Sequence, residues 1–379
     1  MTGILKTPLW ERHREAGARL VEFAGFDMPV LYTSIVAEHR AVRAAAGIFD
    51  VSHMGEIRLR GPGAFAVAQR LFTRDLGKLS EGRVLYGLLC RADGGIVDDV
   101  TLARTGPDDL LFCVNAANAD SDLAWIRSVW NDHARPCELL DESAATALLA
   151  VQGPGARAIV DPLLADPGFA PRRWHCVQTQ LEGVPVLLSR TGYTGEDGYE
   201  IYLSADHAVA AWDLLLASGG GGLTPAGLGA RDTLRTEMAF PLYGHELSLA
   251  QNPIEAGLDR FVDFGAGFIG EEALCRVRDA GPAERLVGLA IESRQVARSG
   301  YAIESEETVG KVTSGTFGPS VQRSIAIGYV QDRFSEAGTR LAVRIREKSV
   351  GCTVVPTPFF DRSRRPAGIP TDTTNSRAP

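Results

Sequence analysis

The chain has 379 residues, 45% of them hydrophobic and 23% charged, ordinary values for a folded chain too long for a single core, so two or three domains are expected. Its 47 acidic residues outnumber 39 basic ones for a net charge of -8, which argues against a nucleic-acid partner, since that needs a basic face. The six cysteines, Cys90, Cys113, Cys137, Cys176, Cys275 and Cys352, are scattered without a C-x-x-C pair, and the seven histidines show no metal-ligand spacing. Free thiols in a reducing compartment and no metal site are therefore expected. No stretch is long and apolar enough to span a bilayer, and the N-terminus has no leader-like apolar core. A cytoplasmic protein without membrane contact is the expectation.

In chain order, the spacing predicts a helix over Trp10–Glu22, a Gly/Pro-punctuated segment over Phe23–Tyr32, and a second helix over Val36–Ala46. Gly55–Gly61 alternates as a half-buried strand does, and Pro62 opens a helix where its missing N–H is harmless. Strands are predicted at Val84–Leu89, Ile96–Ala103, Leu110–Val114, Thr146–Val151, Val184–Ser189 and Tyr199–Leu203. Helices are predicted at Asn118–Val129, Ala156–Leu164 and Ala205–Ala217. Strands and helices mixed without βαβ spacing indicate an α+β fold. Past Gly281 the texture changes to short strands (Leu286–Glu292, Gly310–Thr313, Ile325–Val330, Leu341–Ile345) between Gly/Ser/Pro turns, as in a small β-barrel. Residues 366–379 have the composition of a disordered tail.

Five patches can carry chemistry. In Arg190-Thr-Gly-Tyr-Thr-Gly-Glu-Asp-Gly-Tyr-Glu200, glycines shape a loop that enters a strand, with Glu200 and Tyr202 on one face and Tyr199 and Ile201 on the other. A carboxylate there offers two acceptor oxygens to a flat ligand edge with paired N–H donors, or else faces water. In Asp93–Val100, alternation after Gly94-Gly95 sends Asp98 and Asp99 to opposite faces. One can face solvent while the other points inward, where desolvation favours its protonated form and fits it for proton handling. Asn118 has an ordinary N-cap explanation, whereas Asn115 is free to offer an amide to a ligand. His53, in Asp50–Met54, reads as a satisfied loop histidine rather than a catalyst. Arg231 and Arg235 sit one turn apart at the start of a helix, against the macrodipole, so an anion nearby is expected; pairing of Arg231 with Asp232 is the plainer alternative.

Phe23–Pro29, Phe49–Glu56, Gly94–Asp99, Asn115–Asn118, Arg190–Glu200, Gly227–Arg235, Pro241–Glu246, Phe268–Gly270 and Thr313–Gly315 occur in one order. Together they closely resemble the glycine cleavage T-protein family of aminomethyltransferases, from about Thr7 to about Phe360. The resemblance implies a cloverleaf around a central folate cavity. Two interleaved α+β domains fill residues 1–280 (1–50 with 140–165 and 225–280; 51–139 with 166–224), and a barrel fills 281–365. It implies tetrahydrofolate as co-substrate and the lipoylated H-protein as partner. It further implies Asp99 as the catalytic acid, Glu200 on the pterin N–H edge, Asn115, Tyr193 and Tyr86 lining the pocket, and Met54 against the ring. Arg231 would face an anionic part of folate or support the pterin site. Departures from the family pattern are Phe26 for Trp, the polar run Leu258–Asp263, Phe317–Ser320, and Phe359-Phe360 where a Tyr is usual. The rival readings are another tetrahydrofolate-dependent one-carbon transferase or demethylase, and a non-catalytic folate-binding protein of iron–sulfur cluster maintenance.

Overall fold

The structure is a computed structural model that describes residues 3–132 and 136–364; the predicted tail over 366–379 lies outside the described residues. Two sheets and a closed barrel organise the chain. A six-stranded sheet runs in the order Cys176–Leu181, Val184–Ser189, Gly198–Ser204, Thr146–Gln152, Ala46–Asp50, Leu223–Pro225. A five-stranded sheet runs Val84–Cys90, Ile96–Gly106, Asp109–Val114, Gly55–Arg60, Glu138–Asp141.

The central strands of both sheets are covered on both faces, and side-chain parity decides which core each of their residues enters. In the six-stranded sheet, Ala147, Leu149, Val151, Tyr199, Ile201 and Leu203 pack with the helix Ala208–Gly219 through Ala211, Trp212 and Leu215. Their neighbours Leu148, Ala150 and Tyr202 face the other way. In the five-stranded sheet, Val100, Leu102, Leu110 and Phe112 pack under the helices Ala64–Leu71 and Ala119–Asn131. Val84, Ala103, Leu111 and Cys113 join Leu148, Ala150 and Tyr202 in a core shared by the two sheets, sealed by Ala230 and Leu234 of the helix Leu228–Glu237. The one-residue alternation thus sorts every strand residue into a helix-side or an inter-sheet position.

The barrel closes in the order Glu284–Ile291, Arg323–Gln331, Thr308–Gly318, Ala302–Glu304, Arg340–Ile345, Lys348–Val355. It docks on the body through polar contacts around the helix Leu228–Glu237. Arg235 donates to Glu246 Oε2 (2.8 Å) and to Ser314 Oγ (2.7 Å), and Thr313 donates to Glu246 Oε1 (2.6 Å).

Four expectations are corrected. The helix at Trp10 stops at Glu15 because Gly17 takes φ 71°, and Arg19–Phe23 instead pairs with Phe26–Leu31 as a hairpin. The grouping of 166–224 with 51–139 fails, since the strands at 176–204 hydrogen-bond to Thr146–Gln152 and, through it, to Ala46–Asp50. Strand pairing is a long-range contact that composition along the chain does not encode. Neither acid of the Asp98-Asp99 pair lies on an outer face of the sheet: Asp98 is fully buried, and Asp99 keeps partial exposure on the side that looks toward the other sheet. Asn118, although at the N-cap position, makes no side-chain capping bond and spends its amide on Asp98.

Candidate active site

Parity places Asp99, Tyr86 and Asn115 on the inter-sheet side of one sheet and Glu200 on that side of the other. Met54 packs at the edge of the same shared core, and Arg231 projects from the helix that seals it. These six and Tyr193 are each half-buried while most of their sequence neighbours are fully buried. Side chains that stay partly open this deep in the body line an internal recess. Two surface clefts of about 650 and 530 Å³ lie elsewhere, along the edge strand Cys176–Leu181, and touch none of the seven.

At one end of the recess, Tyr86 donates its hydroxyl to Asp99 Oδ2 (2.9 Å) and Asn115 donates its amide to Asp99 Oδ1 (3.0 Å). Burial, then the charge of adjacent Asp98, pushes the Asp99 carboxyl up to about 7, with the Tyr86 and Asn115 bonds holding it back. An acid balanced near neutrality both gives and takes a proton at physiological pH. Phe261 packs edge-on against Tyr86 at 4.8 Å, so the polar run Leu258–Asp263 still sends an aromatic to this wall.

At the other end, Thr191 donates to Glu200 Oε2. Burial raises the Glu200 carboxyl, while Thr191 and the Arg231 charge hold it down. Arg231 lies over the Tyr193 ring, 4.6 Å from its centroid, and no carboxylate or carbonyl among the described residues accepts from it. An interior guanidinium without a protein acceptor is costly, and a bound acceptor relieves that cost. The pairing of Arg231 with Asp232 does not form; Asp232 accepts from Arg235 instead, at 2.8 Å. Tyr193 donates its hydroxyl to the Pro241 carbonyl and stacks at a tilt on Phe240, 5.8 Å between centroids.

The loop before Glu200 needs its glycines for two different reasons. Gly195 takes φ 77°, and a Cβ there would sit 2.4 Å from Met238 Cγ; Gly198 is not left-handed, but a Cβ would meet the Val151 carbonyl at 2.3 Å. Gly195→Ala is expected to lower stability by about 1–3 kcal/mol, the range for a non-glycine residue held left-handed. Thermal unfolding at matched pH checks this, and an unchanged midpoint would count against it.

Sequence reasoning missed two features of the site. His53 is not satisfied: it is buried, packs edge-on to Phe23 at 5.6 Å, and its Nδ1 finds no partner among the described residues. Burial and then the Arg231 charge push it down to about 4, so it is neutral. The second is Asp122, buried on the helix behind Asp98; only a buried acid in an otherwise apolar helix face hinted at it.

The fold is thus an α+β body of two facing sheets with a C-terminal barrel, and the side chains that look between the sheets include a carboxyl raised toward neutrality and a guanidinium with no protein acceptor among the described residues. Two family models cover the chain: the GCVT N-terminal domain over residues 9–266 and the glycine cleavage T-protein C-terminal barrel domain over residues 284–361. The chain belongs to this glycine cleavage T-protein family. It is 46% identical to an aminomethyltransferase of Symbiobacterium thermophilum, over 95% of this chain and 98% of that one. A Moorella thermoacetica aminomethyltransferase is also 46% identical, over 96% of this chain and all of that one. The crystal structure of the glycine cleavage system aminomethyltransferase T from Bartonella henselae matches with a TM-score of 0.89 at 33% identity, covering 95% of this chain and 99% of that one. Among the described residues no helix is long and apolar enough to cross a membrane, and no cluster of ligating side chains could hold a metal.

Proposed function

We propose that this chain is the aminomethyltransferase of a glycine cleavage system. It takes the aminomethyl carbon from the lipoyl arm of an H-protein and passes it to tetrahydrofolate, releasing ammonia and leaving the dihydrolipoyl arm. The observation that carries this reading is the Asp99 carboxyl, held between the Tyr86 hydroxyl and the Asn115 amide on the inter-sheet side that also receives Glu200 and Arg231, where burial and the Asp98 charge push it up toward neutrality.

Donor chemistry in the recess fits a reduced pterin. Glu200 has one oxygen committed to Thr191 and the other available to a flat N–H edge; Arg231 has no protein acceptor among the described residues and suits a carbonyl or carboxylate. Tyr193, Asn115, Tyr86 and Met54 supply the ring-sized walls between them. When bound, tetrahydrofolate supplies the two amines that take over the carbon's bonds to sulfur and nitrogen. The departing ammonia needs a proton and the folate amines must lose theirs, so an acid that gives one proton and takes another serves both ends. Asp99 is that group, and as a carboxylate it also stabilises positive charge that develops on the transferred carbon. The free state of all six cysteines fits a reducing, cytoplasmic setting.

The test is ammonia release and methylenetetrahydrofolate formation from aminomethyl-loaded H-protein; neither product with folate bound would defeat the reading. Glu200→Ala is expected to weaken tetrahydrofolate binding by about 1.5–3 kcal/mol, the scale of a charge-assisted hydrogen bond. Equal affinity by calorimetry would remove Glu200 from the pocket.

A further inference from the structure

We infer that Asp122 is a positioning residue that stays protonated, donating its carboxyl hydrogen to Asp98 and so fixing Asp98 as the charged neighbour that sets the acidity of Asp99. The inference rests on the proposed role of Asp99 and extends it one layer behind the recess.

Strand parity separates the two acids. Asp99 enters the inter-sheet recess, whereas Asp98 faces the helix layer with Val100 and Leu102 and is fully buried there. Three donors converge on Asp98: the Asn115 backbone N–H on Oδ2 (2.9 Å), the Asn115 amide on Oδ1 (2.9 Å), and the Asn118 amide on Oδ1 (2.7 Å). Asp122, in the first turn of the helix Ala119–Asn131, is equally buried and its carboxyl is in hydrogen-bond contact with Asp98. Neither Asp122 oxygen receives an N–H or hydroxyl donor from any described residue.

Donor counting assigns the proton. Two carboxylates cannot face each other in a buried contact without one of them holding a hydrogen, and the one with no other donors keeps it. Burial and then the Asp98 charge raise Asp122 to about 11, in agreement with the geometry. Helix polarity alone does not counter this, since the pull of the macrodipole on a first-turn charge is small beside the cost of a second unpaired charge in a buried contact.

The consequence for the recess runs through Asn115. Its single amide reaches Asp98 Oδ1, the Asp99 carbonyl (3.0 Å) and Asp99 Oδ1 (3.0 Å), so the orientation of Asp98 is relayed to the acid that faces substrate. The titratable groups around Asp99 are Asp98, Asp122, Tyr86, Tyr193 and, from the Pro241–Glu246 segment, Tyr243. After burial, the Asp98 charge is what raises Asp99, and Asp122, with Asn115 and Asn118, stabilises that charge against the burial of Asp98 itself. Without a donor at 122, Asp98 itself takes up the proton, and the repulsion on Asp99 is removed.

The experiment compares wild type with Asp122→Asn and Asp122→Ala by infrared spectroscopy and by the pH profile of transfer. Wild type minus Asp122→Asn is expected to show a protonated-carboxyl C=O difference band that persists across pH 6–9, while the signal of the other buried, unpartnered acid, Glu56, is common to both and cancels. Asp122→Asn keeps a neutral donor, so its turnover should stay within about threefold and its acid limb should not move. In Asp122→Ala the limb assigned to Asp99 should move down by roughly one to two pH units, the effect of removing one like charge nearby. Absence of the band, or an acid limb in Asp122→Asn displaced as far as in Asp122→Ala, overturns the inference. Because the band is read without substrate, it decides the protonation of Asp122 even if the alanine variant does not fold. It does so as well if wild type fails to transfer aminomethyl groups, an outcome that would instead refute the proposed function.

Discussion

Asp99→Asn is expected to fold, to bind tetrahydrofolate, and to lose aminomethyl transfer by about 10²–10⁴-fold, the range for removing a positioned proton donor and acceptor. The amide keeps the shape of the side chain and can still meet Tyr86 and Asn115, so the loss isolates the proton. Single-turnover formation of methylenetetrahydrofolate measures it, with folate affinity as the control; turnover within a fewfold of wild type would strip Asp99 of its role. The same variant carries a stability signature of the opposite sign. Wild-type Asp99 holds its proton to about pH 7, whereas an unfolded aspartate releases it near pH 3.8. The folded state therefore binds more protons between those values, and its stability falls as pH rises through that window. Asparagine carries no such penalty. Asp99→Asn should melt above wild type at pH 8, and the gap should close below pH 4.

Arg235→Met is expected to destabilise the protein by about 3–5 kcal/mol, the scale of leaving one partner of a buried ion pair unpaired. Arg235 and Glu246 are each almost wholly buried, 2.8 Å apart, and Arg235 also reaches Ser314 on the barrel. Removing the guanidinium strands Glu246 with, among the described residues, the Leu242 backbone N–H and the Thr313 hydroxyl, a set that does not neutralise its charge. Denaturant unfolding reads the loss. A Glu246→Gln change added to Arg235→Met should recover part of it, because the stranded charge then disappears. If the double variant is as unstable as the sum of both singles, the two residues are not coupled and the account is wrong. The pair sits at the junction of helix, loop and barrel, so the loss should also loosen the barrel against the body.

How much of this was legible beforehand differs by residue. The loop Arg190–Glu200 announced itself because its polar residues and glycines fit no apolar period, and Glu200 fell on the face that alternation assigned. Asp98 and Asp99 were correctly sent to opposite faces, but the sequence reading left one of those faces in water. Alternation specifies that two residues diverge and says nothing about what covers each side. The Trp10 helix was read too long because amphipathic spacing continues past Gly17, whose left-handed backbone ends the helix. Asn118 looked like a helix cap, a local role, and was taken up by a distant carboxylate.

Residue type and short-range spacing were enough to indicate the α+β body with its C-terminal barrel and to single out polar patches that fit no apolar period. The class of the enzyme came from the ordered set of motifs, through its resemblance to the glycine cleavage T-protein family. Only the tertiary structure decided which strands share a sheet, that the central strands of both sheets bury both faces, and that Asp122 stands behind Asp98 while Arg231 is left without a protein acceptor among the described residues. Each of these depends on groups brought together from positions far apart in the chain, and the protonation of a buried acid is set by the donors and charges that arrive with them.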